Sequence, residues 1–572
     1  MKAANPELYA RSEELAEYLR ERNLTASEVD RRDFLRQATR LGIVGLSLQS
    51  LAGFEAVART WHERPRTTPW KDYAPKKGRG LASSSSFGSD PIVILGGGLA
   101  GLTAAYRLQR RGVSCEIYEG ASRLGGRVFT RNGFNPEGMF CELGGELIDS
   151  IHRDILQLAQ EFRLDIDDFR NSDSGVEKEL YFFAGRRFYE SDLIPLFQPM
   201  AAILNRDIAE VFPPTSQWII NYRNYNAAGQ RIDRMSLRQY LDQARAPGVE
   251  RWVIDLLDVA YSIEYGLETS LQSAINLLYL IDPNTKKGFK IFGASDEAHR
   301  IRGGNSRLTE ALAAAIRGTV PVRLEHRLLS IADNGREFTL VFEQNGQRVT
   351  RRASQVLCTI PFRMLREVEG ISRLGLTPQK LLNIQTSGFG TNSKYMVGFR
   401  EKLWRRTNGS IPAQTGTIYT DLGTQSYWET SRLQSGQRGI LTNYSGGNYG
   451  ASISTQSLSK VLDDLERMYP GIRALYDGSS ALMKWSSYPL TQGSYSCPMP
   501  GQYTTIYGSG AEPELNARLL FAGEHCSEMF QGFMNGAVET GNYAAYIALE
   551  QRGRSVTTSA RENREASSSL TV

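Results

Sequence analysis

The clearest hydrophobic pattern in the chain begins at Pro91. Ile92-Val93-Ile94-Leu95 is an apolar run with no polar alternation, which predicts a short strand buried on both faces in a parallel sheet. Gly96-Gly97-Gly98-Leu99-Ala100-Gly101 interrupts it. From Leu102 to Arg111 the spacing turns helical, with Ala104, Ala105 and Leu108 on one face and Gly112 as the stop. Ser114-Cys115-Glu116-Ile117-Tyr118 reads as a second strand, closed by Glu119. The order strand, glycine turn, helix, strand predicts a βαβ unit.

Similar punctuation recurs far along the chain. Ile301 to Leu308 leads into a helix to Arg317, and a hairpin is expected about Asn345-Gly346. Val356 to Ile360 forms another apolar run before Pro361. Leu519-Leu520-Phe521-Ala522-Gly523-Glu524 reads as a strand ending in glycine and acid. Gln531 to Gly541 then opens a small-residue helix.

The first ninety residues have a different pattern. Asp30-Arg31-Arg32-Asp33-Phe34-Leu35-Arg36 precedes an apolar, acid-free run from Leu41 to Phe54, and Ala56-Val57-Ala58 comes after it. Paired arginines, a short apolar segment and a small-residue cleavage site together resemble a twin-arginine export signal cut after Ala58. The apolar run is shorter than the ~20 residues a helix needs to span a bilayer, so no stable membrane span is expected. The implied partner is the twin-arginine export machinery, and the implied location periplasmic or secreted. Residues 59–90 carry prolines, a basic cluster and four serines in a row, and read as a linker; 552–572 read as a disordered tail.

Composition narrows the classes. The 572 residues hold 67 Lys and Arg against 62 Asp and Glu, and a net charge of +5 over this length gives little support to nucleic-acid binding. The five cysteines (115, 141, 358, 497, 526) fit neither a disulfide framework nor a CxxC metal site. The 54 glycines are the informative surplus, because glycine lets backbone approach a ligand.

In the βαβ unit the glycines have distinct jobs. Gly96 allows the tight turn, Gly98 lets backbone approach a diphosphate at the helix N-terminus beside Leu99 and Ala100, and Gly101 permits close helix–strand packing. Glu119 stands 18 residues past Gly101, near the ~20 expected for a ribose-binding acid. Arg123-Leu124-Gly125-Gly126-Arg127 adds a second glycine pair, bracketed by arginines. With Glu142-Leu143-Gly144-Gly145 and the Gly523-Glu524 and Gln531–Gly541 segments, the chain resembles the flavin-containing amine oxidases, a family of monoamine, polyamine and L-amino-acid oxidases. The resemblance spans about residues 91–551.

That resemblance implies a mixed fold, α/β with α+β, in which a Rossmann-type FAD domain is interleaved with a substrate domain. The expected FAD segments are 91–165, 297–383 and 488–551, and the substrate segments 166–296 and 384–487. FAD would be cradled by Gly96, Gly98, Leu99, Ala100, Gly101, Glu119, Gly125, Gly126, Arg127, Gly144, Gly145, Gly523, Glu524, Phe533 and Met534, with the strand around Leu328 near the adenine. Lys394 falls where the family holds a lysine through water to flavin N5. Tyr495 and Phe533 match the aromatic pair flanking the amine, Phe533 departing mildly from the Tyr–Tyr pair common in monoamine oxidases, and Trp485 starts the stretch leading to Tyr495. Ser494 stands where monoamine oxidases place their flavin-linked cysteine, and Cys497 is three residues off, so non-covalent FAD is expected.

The substrate class turns on the residues after Gly145. Leu147 stands where typical L-amino-acid oxidases carry an arginine for the carboxylate. Asp149 falls where polyamine oxidases place an acidic or histidine residue, with a helix N-cap before Ile151 as its alternative. This favours an amine or polyamine oxidised by hydride transfer, with O2 reduced to hydrogen peroxide. An arginine arriving from elsewhere, such as Arg153, would reverse it. The alternatives are an L-amino-acid oxidase with an atypical carboxylate site, a related desaturase or isomerase, and an FAD-binding protein without turnover. A homodimer is compatible with all of them. Tyr261, Glu264 and Tyr265 are further polar-aromatic candidates that the sequence alone does not place.

Overall fold

A computed structural model of the chain describes residues 90–170, 172–213, 219–244, 248–286 and 288–553. The segment read as an export signal, nearly all of the linker and all but the first two residues of the tail lie outside these residues. Residues 90–207 and 220–553 belong to one compact unit.

The apolar runs of the sequence become one five-stranded sheet. Its order is Leu519–Phe521, Val356–Cys358, Ile92–Leu95, Cys115–Tyr118 and Val322–Arg323, with every neighbouring pair parallel. Ile92, Val93 and Ile94 are fully buried, as a strand covered on both faces requires. One face packs on the helices Leu99–Gln109, Ser306–Ile316 and Met534–Gln551, whose apolar sides meet in a single core. The other face packs on an antiparallel three-stranded sheet, Arg327–Asp333, Phe338–Gln344 and Gln347–Ala353. The hairpin falls at Asn345-Gly346 as expected. Both residues take positive φ (50° and 74°), the turn hand that matches strand twist.

A second large sheet has seven strands: Tyr476–Lys484, Ser393–Phe399, Gly439–Ser445, Ser426–Glu429, Gln414–Thr420, Glu177–Phe183 and Arg186–Phe188. It is antiparallel except where Gln414–Thr420 runs parallel to Glu177–Phe183. The fold is thus α/β joined to α+β. Among the described residues, no helix is long and apolar enough to cross a membrane.

Candidate active site

The glycines of the first turn are fixed by close approach. A Cβ on Gly101 would stand 2.1 Å from the Gly96 carbonyl oxygen, and one on Gly96 2.4 Å from Thr359 Oγ1. Gly96 also needs its φ of 105°, a region that costs other residues strain. Gly98 and Gly126 bring two backbone segments face to face: a Cβ on Gly126 would come within 3.1 Å of Gly98 Cα. Glu119 closes the turn, one carboxylate oxygen accepting from the Gly97 N–H (2.6 Å) and the other from Ala121 N–H (2.7 Å). Burial holds it above the ordinary carboxylate range, despite these donors.

These segments line a cavity of about 560 Å³. Every expected FAD position except Gly101 is on its wall: Gly96, Gly98, Leu99, Ala100, Glu119, Gly125, Gly126, Arg127, Gly144, Gly145, Leu328, Gly523, Glu524, Phe533 and Met534. Gly101 stands behind it, pressed on the Gly96 carbonyl. Two helices reach the wall by their N-termini, Leu99–Gln109 capped by Gly98 and Met534–Gln551 capped by Phe533. Neither has a side-chain cap or an acid in its first turn, so each leaves free N–H groups and a positive dipole end toward the cavity. That donor set suits a diphosphate at one end and an electron-rich ring system at the other.

Glu524 ties the cavity's two ends together. It accepts from Arg127 Nη1 (2.7 Å), Ser496 Oγ (2.6 Å) and Gly532 N (2.9 Å). Burial pushes it up, but Arg127 and the other donors outweigh this and hold it below its ordinary value. Arg127 also donates to the Ser494 carbonyl (2.8 Å).

Lys394 is on the wall but not free. Its Nζ donates to the Gly144 carbonyl (3.0 Å) and to Glu146 Oε2 (2.7 Å), and it lies 5.1 Å from the Trp428 ring centre. The Lys394 and Glu146 side chains are only 4% and 3% exposed. Glu146 Oε1 accepts from Thr430 Oγ1 (2.9 Å) and faces Arg300 at 3.7 Å. Burial would raise the Glu146 carboxyl; Lys394 and Arg300 instead hold it below its ordinary value. Sequence reasoning missed this pair, because the partners are 248 positions apart.

Tyr495 and Phe533 both face the cavity. The Tyr495 hydroxyl donates to the Glu264 carbonyl (2.7 Å) and shares a 2.6 Å hydrogen bond with Tyr444. The Phe533 ring tilts against His152 at 4.9 Å. Trp485 is on the wall too, its Nε1 donating to the Leu143 carbonyl (2.9 Å). Ser494 reaches the wall, and its Oγ donates to Asn392 Oδ1 (2.6 Å). Of the three further candidates, Glu264 and Tyr265 line the cavity, while Tyr261 is turned away to donate to the Ile291 carbonyl (2.9 Å).

Asp149 differs from its expected place. It is not on the cavity wall and does not cap the helix Arg153–Glu161; its Oδ1 accepts the Glu297 N–H (2.9 Å), with His152 at 3.3 Å from Oδ2. The reason is local geometry: the chain after Gly145 turns this buried side chain toward the segment carrying Glu297, and Glu297 is the residue that faces the cavity. Arg153 is exposed and also off the wall. Tyr444, Tyr419, Trp428, Phe292 and Glu297 complete the wall. No alternation in the strands carrying Tyr419, Trp428 and Tyr444 marks them in the sequence.

Comparison with known proteins agrees with this geometry. A family described as flavin containing amine oxidoreductase matches residues 99–549. The flavin-dependent L-tryptophan oxidase RebO of Lentzea aerocolonigenes is 27% identical over 81% of this chain and 99% of its own length. An L-amino-acid oxidase of Mus musculus is 24% identical over 79% of this chain and 70% of its own. Among solved structures, cyclohexylamine oxidase from Brevibacterium oxydans IH-35A superposes with a TM-score of 0.69 at 18% identity, covering 81% of this chain and 100% of its own. Putrescine oxidase bound to putrescine gives 0.63 at 17%, over 80% and 99%.

Proposed function

The chain belongs to the flavin-containing amine oxidoreductase family, and we propose that within it the enzyme oxidises a primary or secondary amine that carries no α-carboxylate. It is an FAD-dependent oxidoreductase, and the cradle of glycines, Glu119, Arg127 and two uncapped helix N-termini fits that cofactor. Bound FAD supplies the hydride acceptor for the carbon bearing the amine, with O2 as final acceptor and hydrogen peroxide as product. The imine then hydrolyses to a carbonyl compound, releasing ammonia or a shorter amine.

The chain's own residues position and select. Tyr495 is held at its hydroxyl by Glu264 and Tyr444, so its ring is fixed before substrate arrives. With Phe533 it presents aromatic faces, which accept both neutral amine and ammonium. Lys394, pinned by Gly144 and Glu146, places one fixed cation at the wall.

One observation carries the choice of amine over amino acid. Every lysine and arginine lining the cavity already has a partner. Arg123 donates to the carbonyls of Leu124, Gly126 and Val128, Arg127 to Glu524 and Ser494, Arg327 to Glu343, and Lys394 to Glu146. An incoming carboxylate meets cations whose donors are already engaged, Arg123 by backbone carbonyls and the other three by carboxylates, whereas a free bidentate arginine is what such recognition needs.

A second reading, oxidation of an L-amino acid, is favoured by one observation: similarity to the tryptophan oxidase over nearly the whole length of both chains. Peroxide release by the purified holoenzyme with monoamines, diamines and L-amino acids separates the two. Peroxide with amines is the expected result. Peroxide with L-amino acids alone overturns the amine reading.

The cofactor is non-covalent on this reading. None of the five cysteines lines the cavity, and the Ser494 hydroxyl is engaged with Asn392. Acid precipitation is expected to leave the flavin in the supernatant. Flavin in the pellet contradicts this.

A further inference from the structure

Among the described residues two methionines line the cavity, Met364 and Met534, in different parts of its wall. Met364 belongs to the short helix Phe362–Leu365, which follows Thr359, the residue pressed on Gly96 in the first glycine turn. Met534 opens the helix Met534–Gln551 and is half-buried. A Cβ on Gly145 would stand 2.8 Å from both Cγ and Sδ of Met534, so the thioether lies flat on Gly145. The Gly144 carbonyl, one peptide earlier, accepts from Lys394 Nζ at 3.0 Å. Through these contacts the sulfur is within about 10 Å of the Lys394 ammonium.

Lys394 falls where the family holds a lysine beside flavin N5, the atom that accepts the hydride. Peroxide formed at the reduced ring therefore starts within reach of Met534. Sulfur is what peroxide attacks by two-electron chemistry, as a thiolate or as a thioether. None of the five cysteines lines the cavity, and burial raises each of their thiols above its ordinary value, which keeps thiolate scarce. A thioether needs no ionisation. Met534 is the reactive sulfur on this part of the wall.

We propose that Met534 is a modification site: peroxide made by the enzyme oxidises its thioether to the sulfoxide, and the sulfoxide slows further turnover. This rests on the reading above that O2 is the final acceptor. The sulfur lone pair attacks one peroxide oxygen, the O–O bond breaks, and the other oxygen leaves with both hydrogens as water. Sulfur is oxidised by two electrons and peroxide is reduced by two.

The effect on turnover follows from what surrounds the sulfur. Gly145 leaves no room for an added oxygen on its side. Asn305 Nδ2 lies 3.9 Å from the sulfur and already donates to the carbonyls of Gly145 (2.9 Å) and Glu146 (2.8 Å). A thioether is a weak acceptor, whereas the sulfoxide is polar, so its oxygen competes with those two carbonyls for the amide. Glu146 is the carboxylate that pairs with Lys394 at 2.7 Å, and the competition loosens the loop that pins this cation. The enzyme thus carries a limit on its own peroxide output, reversible by methionine sulfoxide reductases.

The test takes purified holoenzyme through turnover with the substrate class that releases peroxide, with and without catalase. Peptides carrying Met534 and Met364 are then compared by mass spectrometry for a gain of about 16 Da. Met534 should be oxidised about tenfold more than Met364, and catalase, which removes only peroxide that has left the cavity, should leave most of the Met534 signal. The same total of hydrogen peroxide added to resting holoenzyme should erase the preference. The rate should fall in step with the gain at Met534, and methionine sulfoxide reductases A and B should restore it. Met534→Leu keeps the volume and removes the sulfur, so its rate, read against its own starting value, should decline more slowly per peroxide released. Equal oxidation of the two methionines during turnover, the same preference with added peroxide alone, or loss of the Met534 signal with catalase overturns the self-oxidation site. Full oxidation of Met534 at an undiminished rate overturns the limit on turnover. Peroxide release in either case leaves the oxidase reading standing, whereas no peroxide from any substrate removes both.

Discussion

Glu146→Ala is expected to destabilise the protein by about 3–5 kcal/mol, because it strands the Lys394 ammonium in a buried wall with the Gly144 carbonyl as its remaining partner. Arg300 loses a neighbour too, but keeps the carbonyls of Thr430 (2.7 Å) and Arg432 (2.8 Å). The melting temperature of the holoenzyme should drop by about 5 °C. The combined variant Glu146→Gln with Lys394→Met removes both charges at similar volume, and should recover most of that loss. Peroxide production should stay low in the combined variant, since the fixed cation at the wall is gone. Recovery of stability without recovery of turnover separates the pair's structural role from the lysine's part in the reaction. An unchanged melting temperature in Glu146→Ala would mean that the pair does not hold this wall.

Gly101→Ala should abolish cofactor retention, although helix propensity alone predicts a gain. Alanine is about 1 kcal/mol better than glycine inside a helix. Here its methyl group would stand 2.1 Å from the Gly96 carbonyl oxygen and 3.3 Å from Ile94 Cγ2. The first of these is rigid backbone, so the helix must move away from the turn, taking its N-terminal N–H groups out of register with the cavity. Purified Gly101→Ala is expected to lack the flavin absorbance band near 450 nm while remaining soluble. Full flavin content would show that the turn tolerates the shift. Gly112→Ala, where nothing lies within 4 Å of the added Cβ, is the comparison for a glycine needed only for its φ of 68°.

These two positions also show what can be read from a linear sequence. Gly96, Gly98 and Gly101 are legible because the pattern that carries them is local, a turn and a helix start within six residues, although Thr359 and Gly126 also press on Gly96 and Gly98. The hairpin at Asn345-Gly346 is legible for the same reason. The Lys394–Glu146 pair is not, since each residue alone looks like an ordinary strand lysine or loop acid. Asp149 reads as a substrate contact or a cap, and its actual role depends on a backbone N–H 148 positions away. Glu264 and Glu297 are the hardest to read, because nothing local in a helix end or a short loop marks them as reaching the cavity wall.

The five-stranded sheet carries a consequence for how the chain is made. Its central strands are Ile92–Leu95 and Val356–Cys358, and its edge is Leu519–Phe521. The helix Met534–Gln551 that completes the wall comes later still. At about 5–20 residues per second, a ribosome needs roughly 20–90 s to pass from the first of these strands to the last. Until Val356–Cys358 is made the early βαβ unit has no partner for one side of its sheet, and until residue 524 is made Arg127 has no Glu524 to pair with. The nascent chain therefore passes through a long window with exposed strand edges and no finished nucleotide pocket, in which chaperone protection matters most. Cofactor capture is therefore expected only once Glu524, Phe533 and Met534 have been made. A chain that stops anywhere before residue 519 should be degraded or aggregate rather than persist as a partly active enzyme.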